Sequence, residues 1–312
     1  MNIFIKSLEL ASPLLLLTAL GYFLKTRKML DEKTCKSISR LVLDLILPVN
    51  IFISIYDSDF RSAFDLKTII FIIVSNIALT IFMTIIAHLL SKDKRKLGAM
   101  MQAGVRGNYS IFALPLAVSI YGSKAAGPMA IAIAFLTPIY NVYAISLFEH
   151  YQDGNISIGK QIINVLKTPI MIATIIGVIM NLCNVYIPEP IYQTLSYISK
   201  SITAISLINL GSSFNFKINK NLIKYISVVL IFKLVVTPLL LLPSAIGLGI
   251  RNTELIVILV TATAPIATSA FSTAVCYDTD IELTSSAVVY SYVFCAITIP
   301  LFLSILFSMG VI

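Results

Sequence analysis

Charge is scarce in this sequence. Asp, Glu, Lys and Arg make up only 12% of its 312 residues, against about 25% in soluble domains. Apolar residues reach 58% and the mean hydropathy is +0.93. Such a chain cannot hide its apolar surface in a core facing water, so the expected class is an all-α integral membrane protein. Histidine appears only as His88 and His150, which argues against a His-based metal centre. The four cysteines (Cys35, Cys183, Cys276 and Cys295) show no paired spacing, and three lie in apolar runs. That pattern speaks against a disulfide framework or a zinc site. No H-E-x-x-H, no G-x-G-D and no serine–histidine pair lies at membrane depth, which argues against an intramembrane enzyme. No nucleotide motif appears either, so neither an ATP-driven importer nor a cofactor is expected. The net charge of +8 resides mainly in short loops, where it orients spans rather than binding nucleic acid.

What is present is a succession of apolar runs. A spanning helix needs roughly 20 mostly apolar residues. Ten candidates meet that need: 4–24, 36–56, 68–90, 97–121, 125–148, 168–187, 190–210, 222–248, 253–277 and 282–308. The first carries only Lys6 at its amino end, lacks an A-x-A site and is followed by a basic cluster. It reads as a retained helix rather than a signal peptide. Loops after the odd-numbered spans hold fifteen basic residues, among them Lys25, Arg27, Lys92, Arg95, Lys160 and Lys217. The opposite side holds five: Lys6, Arg61, Lys67, Lys124 and Arg251. By the positive-inside rule both termini face outside, and the expected location is the plasma membrane. The stretch 158–169, "IGKQIINVLKTP", is amphipathic and basic, as an interfacial helix on the cytoplasmic face would be.

Ten spans with both ends on one side divide into two sets of five, 1–150 and 151–312, the second inverted. Prolines echo that division: Pro13 and Pro169, Pro115 and Pro265, and Pro138 and Pro300 are separated by 156, 150 and 162 residues. Pro48 has no counterpart in span 7. Inverted-repeat carriers place their substrate near the midplane, at interrupted helices in matching positions of the two halves. Span 4 contains "GVRGNYSIFALPLAVSIYG" (104–122) and span 9 contains "VTATAPIATSAFSTAV" (260–275). Both are breaker-rich and polar, and both fall in matching positions. Gly107, Pro115, Ala264 and Pro265 are therefore the expected break residues.

Asn108 and Pro115, spaced N-x6-P and followed by Tyr121-Gly122, resemble the span-4 signature of the auxin efflux carrier family, which holds the plant PIN-FORMED carriers and bacterial malate/malonate-type organic acid carriers. Pro265, Ala270-Phe271, Tyr277, Thr284-Ser285 and Pro300 are similar to its spans 9 and 10. "SRLVLDLILPVNIFISIY" and "ISLINLGSSF" resemble spans 2 and 7. The resemblance covers essentially the whole chain. It implies a ten-helix secondary carrier, usually a homodimer, in which spans 1, 2, 6 and 7 form a scaffold. Spans 3–5 and 8–10 would form a transport unit with broken spans 4 and 9 crossing in it. The substrates implied are organic anions, and Asn108 takes the place of the crossing asparagine. Two positions depart from the pattern: Ala113 stands where the family often has glycine before Pro115, and Ala264-Pro265-Ile266 contains no asparagine.

Irregular backbone survives at membrane depth only where protein or a water-filled cavity surrounds it. An asparagine amide there can serve freed backbone groups, a ligand, or both. Arg106 falls near mid-depth, where a guanidinium costs at least about 2.5–3.5 kcal/mol without compensation. It is either a bidentate clamp for a substrate carboxylate or a structural partner of Asp44. Thr263, Thr268 and Ser269 flank Pro265 and complete the candidate substrate set, although hydroxyls in membrane helices often serve their own backbone. Lys200, Lys233 and Asp44 are candidates for gating or coupling. For Asp44 a local pair with Arg40, four residues earlier, is the favoured account.

Together these features point to a secondary carrier that moves a small organic anion by alternating access, elevator-like, with membrane lipid and a coupling proton or sodium ion as partners. A sodium-coupled symporter of the bile-acid type and a non-transporting receptor or channel are the alternatives.

Overall fold

A computed structural model describes residues 3–57, 65–153, 166–213 and 219–312. The amphipathic stretch 158–169 falls largely outside them. The described chain is helical, with a single β-bridge and no strand among its elements. In chain order the helices are α1 (Ile3–Thr26), α2 (Glu32–Tyr56), α3 (Leu66–Leu90), α4 (Lys94–Val105), α5 (Leu114–Tyr121) and α6 (Ala126–Asp153). The second half supplies α7 (Pro169–Leu182), α8 (Glu189–Ser213), α9 (Lys220–Gly247), α10 (Asn252–Thr263), α11 (Ser269–Cys276) and α12 (Ile281–Ser308). Four of them, α2, α3, α9 and α12, are long and apolar enough to cross a membrane.

Helix starts follow ordinary capping chemistry. Asp31, Asp65, Asp93 and Asp280 each accept a backbone amide of the first turn, at 2.8 to 3.0 Å, satisfying donors that have no intrahelical partner. Bonds from the Thr68 side chain and amide hold the Asp65 carboxyl below the usual carboxylate range. α7 stops at Leu182, short of the expected 187. Asn184 adopts a left-handed conformation (φ 51°), and the Val185 amide reaches back to Met180 O at 2.9 Å. This is a Schellman closure, which hydropathy alone does not reveal.

Three prolines deform helices in one manner. Pro48, Pro115 and Pro238 each stand two residues beyond a π turn, at Val42–Ile46, Tyr109–Ala113 and Phe232–Val236. A proline ring collides with the carbonyl four residues before it, and a locally wider turn makes room. The π turn in α2 also corrects one expectation. Residues four apart no longer share a face across it, and Asp44 forms no ion pair with Arg40 among the described residues.

α3 shows how the surface is divided. Ile70, Val74, Ile77, Ile81, Ile85 and Leu89 form an exposed apolar stripe, while Ile72, Asn76, Leu79 and Met83 face inward. Lipid is as apolar as leucine, so close packing and hydrogen bonds must associate the helices. α1 and α8 meet at the backbone. A Cβ on Gly21 would lie 2.0 Å from Ile208 O, and one on Gly211 would lie 1.9 Å from Thr18 O. Asn209 of α8 donates to Ser39 Oγ at 2.8 Å and to Cys35 O at 3.1 Å. Asn50 of α2 donates to Ser199 Oγ at 2.9 Å. These bonds tie α2 to α8, and α2 also packs along α7.

Candidate functional site

α4 ends at Val105, and the backbone runs extended through Arg106 to Asn108 before the π turn at Tyr109. In the second half α10 ends at Thr263, and the chain leaves the helix until α11 begins at Ser269. The two interruptions lie antiparallel. The Asn108 amide donates to Pro265 O at 2.8 Å, and the Ala267 amide donates to Arg106 O at 3.2 Å. Gly107 and Ile266 form the β-bridge. The Ile266 amide donates to Ser291 Oγ of α12 at 2.9 Å. Each break thus satisfies backbone groups of the other, as buried peptide groups require.

The side chains add a second layer. Asn108 donates to the Tyr292 hydroxyl at 2.6 Å. Tyr109 stacks on Tyr140 with centroids 5.8 Å apart, and its hydroxyl donates to that of Tyr140 at 2.9 Å. Asn76 of α3 also donates to the Tyr140 hydroxyl. Arg106 is only 5% exposed; its guanidinium donates to Thr273 Oγ1 at 3.3 Å, and Thr273 donates on to Ser269 O at 2.7 Å.

Two cavities meet at Arg106. The first, of about 60 Å³, is lined by Arg106, Asn108, Thr268 and Ser269 from the crossing and by Asn50, Thr137 and Tyr140 from helices around it. The second, of about 160 Å³, is lined by Arg106, Arg40, Asp44, Thr168, Thr273 and Cys276. Its Arg40 and Thr168 belong to the end of the bundle where basic loop residues concentrate. The first cavity lies where two helical segments begin, at Tyr109 and at Ser269. Helix amino ends carry partial positive charge and favour an anion. With Arg106 alongside, the chemistry of the pocket suits a carboxylate.

The residues singled out from the sequence separate into groups. Asn108, Arg106, Thr268 and Ser269 converge on the 60 Å³ cavity, with Gly107 beside them and buried Ala264 and Pro265 in the opposite break. Thr263 does not join them; its hydroxyl donates to Leu259 O at 2.8 Å, within its own helix. Pro115 is the second residue of α5, outside both cavities. Lys200 is exposed on α8 and lines neither cavity. Asp44 faces the larger cavity. Lys233 is 2% exposed and reaches the crossing from α9. Sequence reasoning missed Asn50, Asn76, Thr137, Tyr140 and Tyr292. The available signal was general: a buried tyrosine or asparagine in an apolar run must find a partner.

Known proteins place the chain among membrane transporters rather than enzymes. It is 27% identical over 305 residues to an uncharacterized transporter of Methanothermobacter thermautotrophicus, covering 96% of this chain and 98% of that protein. It is 25% identical over 302 residues to an uncharacterized transporter of Methanocaldococcus jannaschii, covering 92% and 94%. A family model described as membrane transport protein matches residues 7–303. The chain belongs to that family, the auxin efflux carrier family.

Proposed function

We propose that this transporter is a secondary carrier of a small organic anion, with Asn108, Arg106, Thr268 and Ser269 as its substrate ligands. The observation that carries this reading is the convergence of those four side chains on one cavity at the start of two helical segments. A carboxylate seated there meets a guanidinium, a side-chain amide, two hydroxyls and two positive helix ends, with nothing acidic among the described lining residues. The adjoining 160 Å³ cavity, also bordered by Arg106, provides an approach from the end bearing the basic loops.

In this reading the chain forms ten spans as two inverted repeats, 1–150 and 151–312, in the plasma membrane with both termini outside. Helix pairings support it. α1 packs on α8 and α2 on α7, and exchanging the two halves turns one pair into the other. The same exchange relates α3–α4 to α9–α10, and α3–α6 to α9–α12. α1, α2, α7 and α8 form a scaffold, and the remaining helices carry the crossing past it in an elevator-like alternation, the carrier working as a homodimer.

The test is a thermal-stability screen of the purified protein against mono- and dicarboxylates, followed by uptake into proteoliposomes. Stabilisation by a carboxylate, lost in Asn108→Ala and weakened in Arg106→Lys, is the expected result. A carboxylate that stabilises both variants as well as the unaltered protein would remove the assignment. A channel or receptor would fail to accumulate the anion against a gradient.

A further inference from the structure

The carboxyl end of α10 presents an unusual acceptor. In a continuous helix Thr261 O would accept the amide of residue 265, but residue 265 is proline and has no N–H. Thr261 is buried, so water does not freely meet that carbonyl. The group that does meet it is the Lys233 ammonium, which donates to Thr261 O at 3.4 Å. Lys233 comes from the π turn Phe232–Val236 of α9, produced by Pro238. Its Nζ also lies over the Tyr109 ring, 5.8 Å from the centroid, within cation–π range. One ammonium therefore touches the carboxyl end of one broken helix and the first residue of the other helical restart.

No carboxylate stands among the described residues lining the small cavity, about 20 Å³, into which Lys233 projects; its polar groups there are Asn76, Tyr109, Tyr140, Thr237 and Thr261. What offsets the charge is the negative end of the α10 dipole together with the π face of Tyr109. In carriers with broken helices, such carboxyl ends and unwound carbonyls are where coupling cations bind. Here a side chain already holds that place.

We infer that Lys233 is a tethered cation filling the position a coupling sodium ion would take at the carboxyl end of α10, so that the crossing keeps its charge balance without bound sodium. The consequence for transport rests on the reading of the crossing as the substrate site. The charge balance itself can be tested without any substrate.

The experiment is thermal unfolding of the full-length protein in sodium chloride or choline chloride at matched ionic strength. The unaltered protein should give the same Tm in both salts. Lys233→Ala removes the ammonium and opens space for an ion. Its Tm should fall in choline chloride and recover in sodium or methylammonium chloride. Lys233→Met fills the space without charge, so its Tm should stay low in every salt. A sodium-specific rise in Tm of the unaltered protein would overturn the inference, as would a Lys233→Met protein as stable as the unaltered one. If Lys233→Ala cannot be purified, those two measurements still decide. Carboxylate stabilisation of the unaltered protein is recorded alongside. Its absence counts against the substrate site, whereas the salt comparison counts only for or against Lys233.

Discussion

The two breaks at the centre of this transporter solve the same backbone problem with different side chains. On the first, Arg106 and Asn108 bring charge and an amide to the cavity. On the second, Ala264, Pro265 and Ile266 bring none, and the polar work passes to Thr268 and Ser269 one step along and to donors from neighbouring helices. Ser291 of α12 receives the Ile266 amide, and Lys233 of α9 serves Thr261 O. The lesson is a division of labour. One interruption carries the charge and the amide that border the cavity, and the other adds hydroxyls and relies on neighbouring helices to satisfy its backbone.

The sharpest attempt to break that contrast is Asn108→Ala. Uptake and carboxylate stabilisation should be abolished while the protein stays monodisperse on size exclusion; Tyr292→Phe, which removes only the partner hydroxyl, should retain transport. Arg106→Lys comes next. A bidentate carboxylate contact is worth about 1.5–3 kcal/mol, so affinity for the stabilising anion should fall about tenfold or more, measured by titration of Tm, with expression little changed. Thr268→Val combined with Ser269→Ala should weaken binding by a few-fold only, because each hydroxyl contributes about 0.5–1.5 kcal/mol. An effect larger than that of Arg106→Lys would reverse the assignment of roles. Thr263→Val should leave affinity unchanged, since its hydroxyl bonds within α10. A binding defect there would show that Thr263 takes part in the site despite that bond.

Much of the fold was legible from residue chemistry. Apolar runs mark the helices, and Gly107, Asn108 and Pro265 stand where the backbone leaves the helix. Membership among transporters rather than enzymes also followed from the sequence, and the family match agrees with it. The errors have local causes. The pairing of Asp44 with Arg40 assumed a regular α-helix, and a π turn intervenes. Thr263 lies near Pro265 in sequence, yet its hydroxyl bonds back within α10. Asn76, Tyr140 and Tyr292 were passed over because nothing local says which buried polar side chains will face one another.

Sequence by itself determined that this chain belongs in a membrane, about where its helices lie, and that two of them are interrupted near Gly107 and Pro265. Those properties depend on solvation and on backbone sterics within a few residues. Only the tertiary structure decided that the interruption at 106–108 pairs with the one at 265–267, that Arg106 borders two cavities, and that Lys233 meets an acceptor orphaned by Pro265. Each of these joins residues from distant parts of the chain, and the partner of a buried polar group is set by packing rather than by neighbours in sequence.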